Sequence, residues 1–295
     1  MTRPTWDDLP GQVRDAVTAE AGDVLKAESA SQGLMPGTAI HLHVEGGGQV
    51  FLKAVADDNP AAPLYQREMW AGAVLPEAVP APRMTWSART GGWLVMLFEY
   101  IDGRGADLSP GSPDLPLVLG TVAGMHRILT PCPAAAPFVA DNVTALLRKG
   151  AHMLGPRADM VPDQAMYERA LDGFDIEDLA GETLLHYDLH PGNLRMTDRG
   201  VYVIDWSFAS RGAAWVDGVM LAPRLIEAGH TPEQAEGILS LLPGWQDAPA
   251  RAVTALAALW TLFRIYKAEF GPAEAREHRA RAATAGRAWV EYRNT

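Results

Sequence analysis

The spacing of apolar residues changes once along the 295-residue chain, and that change constrains the fold more than any other feature. Up to about residue 100 the pattern is short and alternating. "DVLKAE" (23–28), "TAIHLHVE" (38–45), "QVFLKAV" (49–55), "PRMTWSA" (82–88) and "GGWLVMLFEY" (91–100) have the β-branched content and period of two that suit strands. Glycines 46 to 48 read as a tight connection between two of them. A short surface helix is expected before Gly22, and a second over "AAPLYQREMWAGAVL" (61–75), where Pro63 fits a first turn. After "IDGRGADLSPGSP" (101–113) the spacing becomes helical. Helices are expected over 114–129, 141–154, 162–172, 231–242, 250–270 and 273–291. The chain therefore divides into a β-rich part (1–100), a hinge or linker (101–112) and a larger helical part (113–295), with a cleft expected between two lobes.

Composition narrows the function classes. The chain is 48% hydrophobic and 21% charged, as in ordinary globular proteins. "MTRPTWDDLPG" has no apolar centre of the kind a signal peptide needs, and "AVTALAALWTLF" (252–263) is too short to span a bilayer. Cys132 is the only cysteine, which excludes an internal disulfide and argues against a cysteine metal site. A cytoplasmic protein without a membrane partner is expected. A formal charge of −11 disfavours nucleic acid as a partner and is compatible with a cationic small molecule. Lysine is confined to Lys26, Lys53, Lys149 and Lys267, so a lysine inside a strand invites a reason that arginine cannot meet.

The helical part is interrupted by a small β island (183–187, 193–197, 201–206) that carries "LLHYDLHPGNLRM" (184–196) and "VYVIDW" (201–206). Asn193 and Asp205 offer hard oxygen donors suited to Mg²⁺, and Asp188 offers a base for a hydroxyl nucleophile. That division of labour is what phosphoryl transfer requires. Lys53 supplies a cation for nucleotide phosphates, and Glu68, on the following helix, is a plausible anionic partner for a strand lysine.

"HYDLHPGN", "IDW", the strand lysine of "VFLKAV" and the helical glutamate of "YQREMW" together resemble the aminoglycoside phosphotransferase family, relatives of the protein kinases. "LVMLFEYIDG" resembles that family's hinge and "LGTVAGMHRIL" its first helix of the large lobe. The likeness runs in order over residues 22 to 270. It implies an α+β, protein-kinase-like, two-lobed fold using ATP with Mg²⁺. Asp188 would be the catalytic base, Asn193 and Asp205 the metal ligands, and Lys53 the contact to the α- and β-phosphates, fixed by Glu68. The backbone of Glu99 and Ile101 would bond adenine, and Asp217 would support the catalytic loop from a helix beneath it. Trp206 stands where protein kinases have Phe-Gly, and the stretch from Asp205 to Asp217 is too short for a protein-substrate platform. The resemblance thus implies a small hydroxylated acceptor, an aminoglycoside or other antibiotic, with resistance or self-protection as the role. Metabolic alcohols of the choline, homoserine or fructosamine kind are the alternative, and a nucleotide-binding pseudokinase a further one.

Competing readings are weaker. His186 and His190 lack the helical spacing of a zinc hydrolase pair, and His186 is better placed as a structural imidazole bonding loop backbone. "EGGGQV" links two strands directly, which is wrong for a phosphate cradle; "ESASQGLMPG" (28–37) is the better candidate. Trp215, Trp260 and Trp289 read as core, and Glu227, Glu233, Glu236, Glu269 and Glu274 as a solvated face.

Overall fold

The computed structural model describes residues 3–30 and 35–295; residues 31–34, the middle of the 28–37 loop singled out for phosphates, lie outside the described residues. The chain forms two compact units, Met1–Arg104 with Arg195–Phe208, and Gly105–Leu194 with Ala209–Thr295.

In the first unit, α1 (Gly11–Ala21) precedes β1 (Val24–Ser29), β2 (Thr38–Val44) and β3 (Gln49–Ala56); α2 (Ala62–Val74) precedes β4 (Met84–Thr90) and β5 (Trp93–Glu99). The strands form an antiparallel sheet in the order β1-β2-β3-β5-β4. Alternation sends Ile40, Leu42, Leu52, Ala54, Val95 and Leu97 into a core with Val13 and Val17 of α1. The other face packs Val55, Leu94, Met96 and Phe98 against Ala62 and Tyr65 of α2. Lys53, opposite Met96 in the ladder, shares that second face. Gly46 and Gly47 turn the chain between β2 and β3 with φ of 79° and 81°, the left-handed region that favours glycine.

The chain enters the second unit within β6 (Arg104–Gly105) and continues as α3 (Asp114–Ile128), α4 (Val139–Leu154), α5 (Gln164–Leu171) and β7 (Thr183–Leu185). It returns to the first unit near the start of β8 (Leu194–Thr197), which forms a hairpin with β9 (Gly200–Val203). β10 (Ser210–Gly212), α6 (Trp215–Glu227), α7 (Pro232–Leu239), α8 (Ala250–Phe270) and α9 (Arg276–Arg293) complete the chain. The expected β island is thus not one sheet. β7 pairs antiparallel with β10, while the Val203 N–H bonds the Pro80 carbonyl at 2.8 Å and draws β9 into the first unit. A single boundary at 101–112 does not capture that return. No helix was expected from periodicity at α6, because Trp215 through Leu225 are buried all round and Pro223 breaks the pattern.

α8 is the axis of the second unit, with Ala252, Val253 and Ala255 to Leu262 buried. Glycines let its neighbours approach closely. A Cβ on Gly150 of α4 would lie 3.2 Å from Leu259, and one on Gly286 of α9 would collide with the Thr261 hydroxyl and lie 3.0 Å from Trp260. Thr261 is itself buried and bonded to the Ala257 carbonyl at 2.8 Å, so it has little room to yield. Gly286→Ala is therefore expected to destabilise by about 1–3 kcal/mol through overpacking, more than the ~0.5–1 kcal/mol that helix propensity returns. Urea denaturation checks this; an unchanged or raised midpoint would contradict the close approach.

Candidate active site

In the first unit the strand lysine finds its expected partner, Glu68, with Asp205 beside it. Lys53 Nζ donates to both oxygens of Glu68, at 2.6 and 2.7 Å, and lies 3.1 Å from Asp205 Oδ1. Glu68 is 5% exposed on the inner side of α2. Burial works against the Lys53 charge, yet Asp205 and Glu68 outweigh it and hold the ammonium above the usual lysine range. Burial also pushes Glu68 up to about 7, with Asp205 adding to the shift and Lys53 opposing it. Two carboxylates around one ammonium leave an excess negative charge when both are ionised. A further cation would relieve it.

Asp205 follows β9 in the left-handed region, at φ 65°, an uncommon conformation for a residue with a side chain. Its neighbours fix the turn: Ser207 Oγ donates to Asp205 Oδ1 at 2.9 Å, and the buried Trp206 ring donates from Nε1 to the Val203 carbonyl at 3.0 Å. The Trp206 backbone also hydrogen-bonds Glu68, so carboxylate, lysine and turn brace one another. Glu99 ends β5, where its N–H donates to the Arg83 carbonyl at 2.9 Å. Ile101 follows after Tyr100, whose ring stacks on His41 with centroids 3.5 Å apart.

In the second unit, the loop after β7 is held from below. The fully buried Asp217 carboxylate accepts from the Tyr187 N–H at 2.7 Å and the His186 N–H at 3.2 Å, and contacts His126 Nε2 at 3.1 Å. Burial opposes its charge, but His126 and the loop amides overcome that and depress its pKa. These bonds hold Tyr187 at φ 68°, strained for a tyrosine. His186 Nδ1 accepts from the Asp188 N–H at 3.3 Å, the structural use expected for it. Asn193 Nδ2 donates to the Asp188 carbonyl at 3.0 Å. The Asp188 carboxylate is left one-third exposed, with His190 Nε2 3.8 Å away.

Each unit offers a donor of the kind magnesium prefers. Asp205 offers a carboxylate in a locally anionic cluster, and Asn193, with its NH₂ turned onto Asp188, offers Oδ1 as a hard ligand. Among the described residues, His186 and His190 belong to no group of three potential metal ligands. Among the described residues, the group of three potential ligands is Glu28, His41 and His43, within 4.8 Å of one another. The expected glutamate face holds for Glu233, Glu269 and Glu274 but not for two others. Glu227 pairs with Arg224 at 3.0 Å, and Glu236 accepts from Trp289 Nε1 at 2.8 Å and pairs with Arg293. Two residues that no motif flagged act electrostatically near Asp188: Arg224 and Arg264, both within cation–π range of Trp260, at 5.1 and 4.6 Å. Trp260 is core, as expected, and also a platform. Periodicity could not have found the arginines, since basic residues on a helix usually mark a solvated face.

Removing the Asp217 carboxylate would strand two loop N–H groups and His126 in a dry interior. Asp217→Ala is expected to cost about 3–5 kcal/mol in chemical denaturation. A loss below ~1 kcal/mol would show that the loop is held by something else.

Comparison with known proteins bears on the fold and the family. No curated protein matches the sequence. Among solved structures, choline kinase LicA from Streptococcus pneumoniae superposes with a TM-score of 0.63 at 15% identity, over 92% of this chain and 98% of that one. An aminoglycoside phosphotransferase from Alicyclobacillus acidocaldarius gives 0.58 at 17%, over 97% and 96%. A thermostable mutant of aminoglycoside phosphotransferase APH(4)-Ia, in complex with ADP and hygromycin B, gives 0.59 at 18%, over 94% and 98%. At these identities the likeness establishes a kinase-like fold, sheet-rich first and helical after. A family model covers residues 38–252, well over half of the chain, from β2 into α8, and by that match the chain belongs to the phosphotransferase enzyme family.

Proposed function

We propose that this phosphotransferase moves the γ-phosphoryl group of ATP, with Mg²⁺, to a hydroxyl of a small molecule. The observation that carries the reading is the Lys53 ammonium held between Glu68 and Asp205, three residues from a strand, a helix and a turn far apart in sequence. In this reading Lys53 contacts the α- and β-phosphates while Glu68 keeps it in place. The backbone of Glu99 and Ile101 bonds the adenine edge. Asp205 and Asn193 hold the metal ion, which when bound neutralises charge on the phosphates. Asp188 orients the acceptor hydroxyl and takes its proton as the new O–P bond forms and the bond between the γ-phosphorus and the bridging oxygen breaks, releasing ADP.

Between Asp205 and Asp217 lie only a turn, β10 and the start of α6, which supports a small acceptor over a protein. A hydroxylated antibiotic, aminoglycosides included, is the acceptor class suggested by the family resemblance, with resistance or self-protection as the role. A metabolic alcohol is the second reading. The likeness to a choline kinase supports it, and the arginines acting on the surroundings of Asp188 weigh against a polycation. The five positions the reaction needs, Lys53, Glu68, Asp188, Asn193 and Asp205, are all intact, which argues against a pseudokinase.

Asp188→Ala is expected to slow turnover by about 10²–10⁴-fold, or ~3–5 kcal/mol, with ATP affinity retained. An equal collapse of ATP binding would remove Asp188 from the role of base. Asp205→Ala should abolish the Mg²⁺-dependent part of nucleotide affinity, read by titrating ATP with and without Mg²⁺. Lys53→Arg should stay inactive, because a planar fork cannot replace a point charge wedged between two carboxylates. Near-native activity of that variant would sink the phosphate contact.

A further inference from the structure

Arg264 is a half-buried guanidinium that no carboxylate pairs with among the described residues. Its Nε is buried with no hydrogen-bond partner. Its direct contacts are rings, Trp260 at 4.6 Å and Phe263 at 5.7 Å. Burial, and after it the charge of Arg224, pushes the group down to about 9. A guanidinium in such surroundings is costly unless something answers it.

Two acids act on Arg264 favourably, and neither pairs with it. Glu227 pairs with Arg224 at 3.0 Å and faces His278 at 3.6 Å. Asp188 acts on Arg264 favourably but has His190 at 3.8 Å, and it is the proposed base. Tyr187, His190 and His278 also feel the Arg264 charge, and the other charged groups acting on it are cations. Arg224 and Arg279 both act on Arg264 as like charges, and Lys267, three residues further along α8, is opposed by Arg279, Lys149 and Arg264. Around Asp188 the second unit therefore has surplus positive charge, although the chain as a whole carries −11. A polycationic acceptor would meet repulsion there, and an anionic one would find a half-buried guanidinium backed by an indole ring.

We infer that Arg264 binds a carboxylate of the acceptor, so that the substrate is an alcohol that also carries a carboxylate group. The inference rests on the phosphotransfer reading and narrows it. Arg264 is then a substrate-positioning residue that anchors one end of the acceptor while its hydroxyl meets Asp188.

The test uses the full chain and a panel of hydroxy carboxylates (glycerate, L-homoserine, gluconate, shikimate), the primary amide of each, and kanamycin and choline as cations. Affinity is measured calorimetrically with Mg²⁺ and a non-hydrolysable ATP analogue present, and turnover by ADP release. At least one carboxylate should bind about tenfold or more tighter than its amide, and Arg264→Gln should weaken it by about 10–100-fold, the range for losing one charge-assisted pair. Nucleotide affinity should stay unchanged in that variant. Arg264→Met keeps the stem on Trp260 and removes the unanswered charge, so its ligand-free melting temperature should rise. Preference for kanamycin or choline would overturn the inference, as would no discrimination between any acid and its amide. Loss of nucleotide affinity in Arg264→Gln, or a lowered melting temperature in Arg264→Met, would also overturn it, by assigning the arginine to the phosphates or to packing. Failure of the unaltered protein to bind the nucleotide at all would instead sink the phosphotransfer reading.

Discussion

An ammonium on a central strand is the constraint around which the first unit is organised. Lys53 lies on the face of β3 that α2 covers, where an unpaired charge would cost several kcal/mol. Glu68 must therefore come from α2, and Asp205 must be brought back by the β8–β9 hairpin from just over half the chain away. The left-handed backbone at Asp205, the Trp206 indole beneath it and the hairpin's bond to Pro80 all serve that return. The sheet, helix and hairpin could each form with apolar residues at these positions. What the three charges add is a fixed mutual placement.

The second unit solves a parallel problem with the signs exchanged. There a fully buried carboxylate, Asp217, is satisfied by two backbone N–H groups and a histidine, and in return dictates the path of the loop that presents Asp188. A loop of this kind holds strain at Tyr187 that only an over-determined set of bonds maintains. Asp188 itself is spared such duties. Its carbonyl and amide are tied to Asn193 and His186, and its side chain stays partly open to solvent.

Much of this was legible in the sequence because charged groups at strand ends need partners, and few candidates existed. A strand lysine in a chain poor in lysine pointed to Glu68, and an H-x-D-x-x-x-x-N loop pointed to Asp188 and Asn193. The elements carrying them showed plain periods of two or 3.6. Where the sequence misled, burial was the reason. α6 is enclosed on every side, so it has no polar stripe to reveal a helix, and Pro223 disguised it further. The β island looked continuous, yet β7 pairs with β10 across the second unit while β8 and β9 pair with each other. Glu227 and Glu236 looked like solvated charges because a sequence does not display the arginines that fold against them. Net charge is silent on such local detail, since −11 summed over the chain does not display Arg224, Arg264, Lys267 and Arg279 acting on one another.

The support beneath the loop comes from the last turn of α3 and the first turn of α6, whereas the cations acting near Asp188 come from the far end of α6 and from the last third of α8. In the proposed reading, chemistry and selectivity are thus written on different stretches of helix. A lineage could exchange Arg224, Arg264 and their neighbours one at a time and never disturb the carboxylate that shapes the loop. Such a division lets one ancestral scaffold acquire new clients by ordinary point mutation, with the reaction itself inherited intact.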